Sequence, residues 1–256
     1  MQTIPKNQFK LNLHEKTIQI GARLGLADGT TADIAAHSGF DWLLIDAEHG
    51  PNDLKAILEQ IRIIEGHHNV SSVVRLPAAD PITMKRILNI GAQSVMVPMI
   101  ESKAEAEAMV KAVHYPPKGV RGVAGNISRA SRWGDIPNYL LHAEEEIALI
   151  LQVETVEGLD ALDEILSVKG IDGIFIGPAD LSASMGYCSH PDHPKVQAAI
   201  HDAILKIRKA GLPVGLIHND PVFIKHYMHI GASFMIVCSD ASTLRRAYQE
   251  ILEEYE

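Results

Sequence analysis

The sequence has few cysteines, no long apolar run and no excess of positive charge. Cys188 and Cys238 stand alone among 256 residues without a CxxC pair, which excludes a disulfide framework and fits a reducing cytoplasm. No apolar run approaches the roughly 20 residues that span a bilayer, and the chain start has no signal-peptide core. We therefore expect a soluble, cytoplasmic protein with no membrane partner. Acidic residues outnumber basic ones by 32 to 23, which makes nucleic acid a poor candidate partner.

Glycine-rich nucleotide motifs and a well-placed lysine are missing as well. No GxGxxG follows the first apolar run, and GxxxxGK[ST] does not occur anywhere. A Schiff-base aldolase needs a desolvated lysine at the end of a strand. Lys169 comes closest to that position, but it precedes its strand instead of following it. The Schiff-base mechanism is therefore disfavoured.

Eight short apolar, strand-like runs alternate with amphipathic, helix-like stretches. The runs cover residues 17–24, 41–48, 72–77, 94–100, 148–154, 173–177, 212–217 and 233–239. This alternation predicts an α/β protein, a (β/α)₈ TIM barrel forming a single domain over residues 1–256. A doubly wound open sheet is the alternative, but it usually has fewer strands and a glycine-rich first turn.

One connection, between the fourth and fifth predicted strands, is long. Residues 114–147 hold Arg121, Arg129 and Arg132. Long irregular segments in compact domains are often lids or binding loops. We therefore expect this loop to contact the substrate or another subunit, and we take Arg121 as a candidate substrate-binding residue.

Mostly polar residues lie at or just past the ends of most of the predicted strands. In a barrel, the carboxyl ends of all strands face one rim, so these residues are expected to converge there. They are Asp46, Glu48, His49, Arg75, Gln152, Glu154, Gly177, Pro178, Asp180, His218, Ser239 and Asp240. The predicted rim therefore combines a pair of acids, a base and a fixed cation.

This combination suits chemistry on a 2-oxo acid. Glu154 and Asp180 can share one divalent cation, although either acid alone could equally cap the helix that follows it. A metal with open positions binds a 2-oxo acid and stabilises its enolate. Arg75 adds positive charge at the developing oxyanion, and His49 moves a proton, with Asp46 placed to orient its imidazole. Together these residues favour carbon–carbon bond cleavage or formation through a pyruvate enolate.

Six stretches carry a family resemblance that runs from about residue 18 to 240. They are FDWLLIDAEHGPND, VRLPAADP, VPMIES, YPPKGVRGVAGNISRASRWG, LILQVETVEGLDALDEIL and GIDGIFIGPADLSASMG. They resemble the HpcH/HpaI family of class II pyruvate aldolases, typified by 4-hydroxy-2-oxo-heptanedioate and 2-dehydro-3-deoxy-glucarate aldolases. The resemblance implies a (β/α)₈ barrel and a homohexamer with active sites near subunit contacts. It also implies reversible cleavage of a 4-hydroxy-2-oxo acid to pyruvate and an aldehyde through a metal-stabilised enolate.

Position by position, the resemblance also implies roles for individual residues. It makes Glu154 and Asp180 the metal ligands, and His49 the acid/base with Asp46 hydrogen-bonded to it. It places Arg75 at a pyruvate oxygen. The remaining matches are Gln152 near the keto acid, and Gly177, Pro178 and Ala179 as backbone that receives the pyruvate carboxylate. Mg²⁺, Mn²⁺ or Co²⁺ suits two carboxylates and water, and Zn²⁺ is also allowed.

Two positions depart from the family pattern. Arg23 stands where relatives often carry an aromatic residue, near the expected aldehyde. A cation there favours an acidic or hydroxylated acceptor, such as a semialdehyde or a hydroxyaldehyde. Asn89 replaces an aspartate that reaches a neighbouring subunit's histidine, which weakens the expected support for His49.

Two other functions stay open at this point. An acyl-CoA lyase of the citrate-lyase-like type would need an adenosine-phosphate site, and no obvious basic cluster exists outside the long loop. A non-catalytic barrel that binds a keto acid is the other alternative. The lack of a glycine-rich loop after the last two strands argues against a phosphorylated substrate.

Overall fold

A closed barrel of eight parallel strands, in chain order, forms the centre of the protein. A computed structural model describes residues 3–255; residues 1, 2 and 256 of the predicted domain lie outside the described residues. The strands are β1 (Gln19–Leu24), β2 (Trp42–Asp46), β3 (Ser71–Arg75), β4 (Ser94–Val97), β5 (Ala148–Val153), β6 (Gly173–Ile176), β7 (Val214–Ile217) and β8 (Phe234–Ser239). β8 pairs with β1 and closes the ring. The predicted (β/α)₈ barrel is confirmed.

Helices follow the strands, and an additional helix precedes the first strand. They are α1 (Gln8–His14), α2 (Gly29–His37), α3 (Leu54–Glu65), α4 (Pro81–Asn89), α5 (Lys103–Val113), α6 (Tyr139–His142), α7 (Val156–Asp160), α8 (Leu162–Leu166), α9 (Pro178–Ser184), α10 (Pro194–Lys209), α11 (Pro221–Ile230) and α12 (Asp240–Glu253). The helical stretch after β5 divides at Ala161 into α7 and α8. None of the helices described between residues 3 and 255 has the length and apolar composition of a bilayer span.

Aromatic side chains fill the amino-terminal end of the barrel. Phe9 of α1 is fully buried, and its ring centroid lies 5.2 Å from that of Trp42 and 5.9 Å from that of Phe234. Gly21 must lack a side chain, because a β-carbon there would overlap the Trp42 indole. Aromatic rings bury large areas and pack well in tilted or edge-on pairs. With α1 filling this end, the open cleft of the barrel lies at the opposite, carboxyl end of the strands.

The long connection between α5 and β5 is mostly irregular. Within residues 114–147 it contains two 3₁₀ turns, Arg129–Ser131 and Ala143–Glu146, and α6 between them. Within this segment, Ile136, Tyr139 and Ala143 are buried and form a small apolar cluster. Ile127 and Trp133 remain exposed. The predicted length and irregularity of this segment agree with the structure, and its role stays a prediction.

Candidate active site

A cleft of about 550 Å³ opens at the carboxyl ends of the strands. The predicted site residues that line it are Arg23, His49, Arg75, Gln152, Glu154, Gly177, Pro178, Ala179 and Asp180. Asp46 is buried and contacts Arg75. The strand-end rule thus brings together side chains from β1, β3 and β5 and from the turns after β2, β5 and β6.

Arg75 is the centre of a hydrogen-bond network in the cleft. Its Nε and Nη2 donate to the two carboxylate oxygens of Asp46 at 3.0 and 2.7 Å. Nη1 lies 3.1 Å from Oε2 of Glu48 and 3.5 Å from Oε1 of Gln152. Bidentate arginine–carboxylate pairs are strong and directional. The guanidinium is therefore fixed in one orientation, and its positive charge is held among β2, β3 and β5.

The carboxylate of Asp46 pairs with Arg75 in this structure, and its predicted role in orienting the His49 imidazole stays a prediction. Its Oδ1 accepts the backbone N–H groups of Glu48 and His49 at 3.1 and 3.2 Å. An aspartate often closes a turn in this way. Burial acts to raise the pKa of Asp46, but the hydrogen bonds and charge of Arg75, together with those N–H groups, hold it below its usual value. The histidine ring lies near Glu48, with 3.6 Å between Nε2 and Oε2.

Glu154 is almost completely buried, with 1% of its surface exposed. Its Oε2 accepts a hydrogen bond from the side-chain amide of Gln152, and its Oε1 accepts the backbone N–H of Met99 at 3.0 Å. Burial raises the pKa of Glu154 to about 7 despite these two hydrogen bonds, and the charges of Glu48 and Asp180 add to the increase. A carboxyl group with so high a pKa in a cleft is a candidate functional group.

Glu154 and Asp180 line the cleft, and the carboxylate charges of Glu48, Glu154 and Asp180 act on one another there. Burial raises the pKa of Glu48, the Arg75 guanidinium opposes that increase, and the charges of Asp46 and Asp180 reinforce it. A bound cation would neutralise this mutual repulsion, and carboxylate oxygens are the ligands that Mg²⁺ and Mn²⁺ prefer. The sequence placed Glu48 at the rim without giving it a role. Its position just past the end of β2 was the available signal, since residues there face the rim.

Gly177 allows Glu154 to approach the start of α9. A β-carbon at this position would overlap the Glu154 carboxylate. Gly177 is the residue before the first turn of α9, with Pro178 at the first helical position. Close packing between the turn after β6 and the acid after β5 therefore requires glycine here.

The family model for HpcH/HpaI aldolase/citrate lyase matches residues 19–247. The chain belongs to this family. It is 48% identical over 248 residues to the hydroxypyruvate/pyruvate aldolase of Pseudomonas aeruginosa, covering 97% of this chain and 92% of that protein. It is 43% identical over 250 residues to the 4-hydroxy-2-oxo-heptane-1,7-dioate aldolase of Shigella boydii, covering 98% and 95%. The crystal structure of a family protein from Burkholderia cenocepacia J2315 matches with a TM-score of 0.94, 36% identity, and coverage of 98% and 99%.

Arg121, a candidate substrate-binding residue of this HpcH/HpaI family member, is not among the residues that line the cleft. It is 1% exposed, its guanidinium lies 4.5 Å from the ring centroid of Tyr115, and its Nη2 donates to Oδ1 of Asn89 at 3.3 Å. Within one chain its position corresponds to a packing role in the long loop. The substrate-binding role of Arg121 stays a prediction.

The remaining wall of the cleft comes from β1, β7, β8 and the segment before α10. It includes residues that the sequence did not single out: Pro191, Asp192, Ile217, Asn219, Asp220, Ile236 and Ser242. Arg23 lies at the edge of this wall, with its Nη1 3.9 Å from Oδ2 of Asp46. Its side chain is 34% exposed, so a positive charge faces solvent in the cleft.

Proposed function

We propose that this protein is a metal-dependent aldolase that reversibly cleaves a 4-hydroxy-2-oxo acid to pyruvate and an aldehyde. One observation carries the proposal: the Arg75 guanidinium and the acids Glu48, Glu154 and Asp180 line or border a single cleft. The aldolase names of the relatives from P. aeruginosa and S. boydii support the same reaction class.

Glu154 and Asp180 are the proposed ligands of a divalent cation. When bound, this cation would supply a Lewis acid for the oxygens of the 2-oxo acid. Arg75 places a second, fixed positive charge where the keto oxygen gains negative charge as the C3–C4 bond breaks. Gln152 holds the Glu154 carboxylate through its amide. The backbone of residues 177–179 is the proposed binding site for the carboxylate of pyruvate.

His49 is the proposed residue that takes the proton from the C4 hydroxyl during cleavage. Its ring is half-exposed in the cleft, and Glu48 lies beside its Nε2. We expect His49→Ala to lower kcat for cleavage by about 10²–10⁴, measured by pyruvate release. His142→Ala is the matched control, since His142 is also half-exposed beside a glutamate, Glu145, on the loop. Full cleavage activity in His49→Ala would contradict the assignment.

Exchange of the methyl protons of pyruvate in D₂O, followed by NMR, tests the proposal without knowledge of the aldehyde. Exchange is expected only after Mg²⁺ or Mn²⁺ is returned to protein stripped of metal. The group Asp33, His37 and His67, of which His67 is half-buried, offers three further potential ligands outside the cleft. The metal titrations are therefore made with a His67→Asn variant, which lacks one of these ligands. If neither Mg²⁺ nor Mn²⁺ supports exchange, the proposal is contradicted, and an acyl-CoA lyase or a binding protein is favoured.

Metal affinity should depend on pH through Glu154. Because its pKa is raised to about 7, a cation must displace a proton below that pH, and affinity should fall about tenfold per pH unit. The same shift stabilises the metal-free fold at low pH, and this stabilisation is lost as pH rises from 4.5 toward 7. Calorimetric titration with Mn²⁺ across this range checks the expectation, and a flat profile between about pH 5 and pH 7 would contradict it.

We also propose a cytoplasmic homohexamer. None of the residues of α12 is buried in the single chain. Leu244, Tyr248, Ile251 and Leu252 are all exposed on this helix. Apolar residues grouped in this way are typical of an interface. Sedimentation analysis should give six times the chain mass of 28.0 kDa; a monomer would contradict the assembly.

A further inference from the structure

We propose that Asp192 is the residue that recognises the acceptor aldehyde, and that it selects short hydroxyaldehydes through hydrogen bonds from their hydroxyl groups. This inference rests on the proposed aldolase function. Asp192 lies between α9 and α10 and lines the same cleft as Glu154 and Asp180. It belongs to the wall formed by β7, β8 and β1, apart from the network around Arg75.

One oxygen of Asp192 is held in place by a buried histidine. Nε2 of His218, the residue directly after β7, lies 2.9 Å from Oδ1 of Asp192. The His218 side chain is 10% exposed, whereas that of Asp192 is 60% exposed. No group in residues 3–255 hydrogen-bonds the second oxygen, Oδ2. Asp192 therefore presents a fixed carboxylate with one oxygen free to accept hydrogen bonds from a ligand.

The tautomer of His218 follows from its other neighbour. The backbone N–H of Asp220 donates to Nδ1 of His218 at 3.0 Å. Because Nδ1 accepts this bond, the ring hydrogen is assigned to Nε2, which then donates to Asp192. The ring also packs on Phe223, with centroids 4.5 Å apart. These contacts hold the His218 ring where it positions Oδ1 of Asp192.

The segment that carries Asp192 is held on both sides. The rings of Tyr187 and His193 stack with centroids 3.8 Å apart. The side-chain amide of Gln197 donates to the carbonyl oxygen of Pro191 at 2.9 Å. These contacts fix the residues before and after Asp192, so its position does not depend on a mobile loop tip. A preorganised acceptor loses less entropy when it binds a ligand.

The charges and hydrogen-bonding groups of this wall favour a hydroxylated ligand. Arg23 supplies a donor, and Asn219 and Ser242 supply groups that donate and accept. One carboxylate oxygen of Asp220, Oδ1, accepts the N–H of Val222 at 2.7 Å at the start of α11. A carboxylate on the acceptor would meet the like charge of Asp192, and an apolar acceptor would offer no hydrogen-bond donor to its free oxygen. A hydroxyl group satisfies it.

A pair of aldehydes of matched shape tests the inference. Glycolaldehyde and propionaldehyde differ by a hydroxyl in place of a methyl group. We expect the intact protein to prefer glycolaldehyde in kcat/KM for addition to pyruvate, and Asp192→Ala to lower this preference by about tenfold to a hundredfold. Asp202→Ala is the matched control, because Asp202 also lies beside a histidine ring, His201, on the exposed face of α10. It should keep the preference.

A second variant and a second assay separate the possible failures. Asp192→Asn preserves an oxygen for His218 but removes the charge, so it should show a smaller fall in preference than Asp192→Ala. An unchanged preference in both variants, or equal losses with both aldehydes, would overturn the role of Asp192. Succinic semialdehyde used better than glycolaldehyde by the intact protein would overturn the substrate class. Absence of metal-dependent pyruvate exchange in the intact protein would instead overturn the proposed function itself.

Discussion

Glu154→Gln should abolish metal-dependent proton exchange at pyruvate, with a loss of about a thousandfold or more. The substitution preserves the size of the side chain but removes its charge, so one of the two proposed metal ligands is weakened. It also places a second amide against Gln152, whose own amide now donates to the carboxylate. Both effects reduce cation binding, and NMR of pyruvate in D₂O measures the result.

Two further variants make this result interpretable. Asp180→Asn should cause a comparable loss, because it changes the other proposed ligand. Glu146→Gln changes a buried glutamate at the other end of the barrel, where it accepts the backbone N–H of Asn7 at 2.8 Å. It should exchange protons at close to the normal rate. Full exchange in Glu154→Gln at saturating Mn²⁺ would remove Glu154 from the proposed metal site.

Arg75→Lys should lower kcat by about 10²–10³ while KM for the 2-oxo acid changes less. A lysine ammonium is a single point donor and cannot reproduce the planar fork. It could not keep both bonds to Asp46 and also reach Glu48 and Gln152. The fixed charge at the developing oxyanion would then be displaced, and Asp46 would lose its bidentate partner in a buried site. Steady-state cleavage kinetics separate kcat from KM.

A second arginine provides the comparison for this substitution. Arg129 makes a bidentate pair with Glu65 outside the cleft. Arg129→Lys should therefore leave kcat close to normal, although it changes the same type of contact. A rise in KM with unchanged kcat in Arg75→Lys would mean that Arg75 binds substrate and transition state equally, contrary to the proposed role.

The strands could be predicted because each is a short, continuous apolar run with polar residues at its ends. Burial on both faces, as in β2 and β5, produces such runs in parallel sheets. The helix α1 could not be delimited in the same way. It has only seven residues, QFKLNLH, and its contribution comes from Phe9 and Leu13 inserting among aromatic residues that are distant in the chain. Two buried residues in seven are too few to establish a helical period.

The site was predictable as a set of residues but not as a set of contacts. The end of each strand indicates which side chains reach the rim. It does not indicate which partner each side chain takes, because the turn after β2 decides that Asp46 contacts Arg75 and that His49 lies near Glu48. The pair of Asp192 and His218 joins segments 26 positions apart. No spacing rule connects them.

The two walls of the cleft occupy separate arcs of the barrel. Strands β2 to β6 and the turns directly after them carry the network around Arg75 and the acids. The wall of Asp192 and Arg23 comes from β7, β8 and β1, which are neighbours in the ring, together with the segment before α10. The two walls of one cleft thus have separate roles. Substitutions in the wall of Asp192 and Arg23 can change which aldehyde is accepted, while the wall of Arg75 keeps the enolate chemistry. Residues near β7 and β8 are therefore the positions to substitute when a different product is wanted.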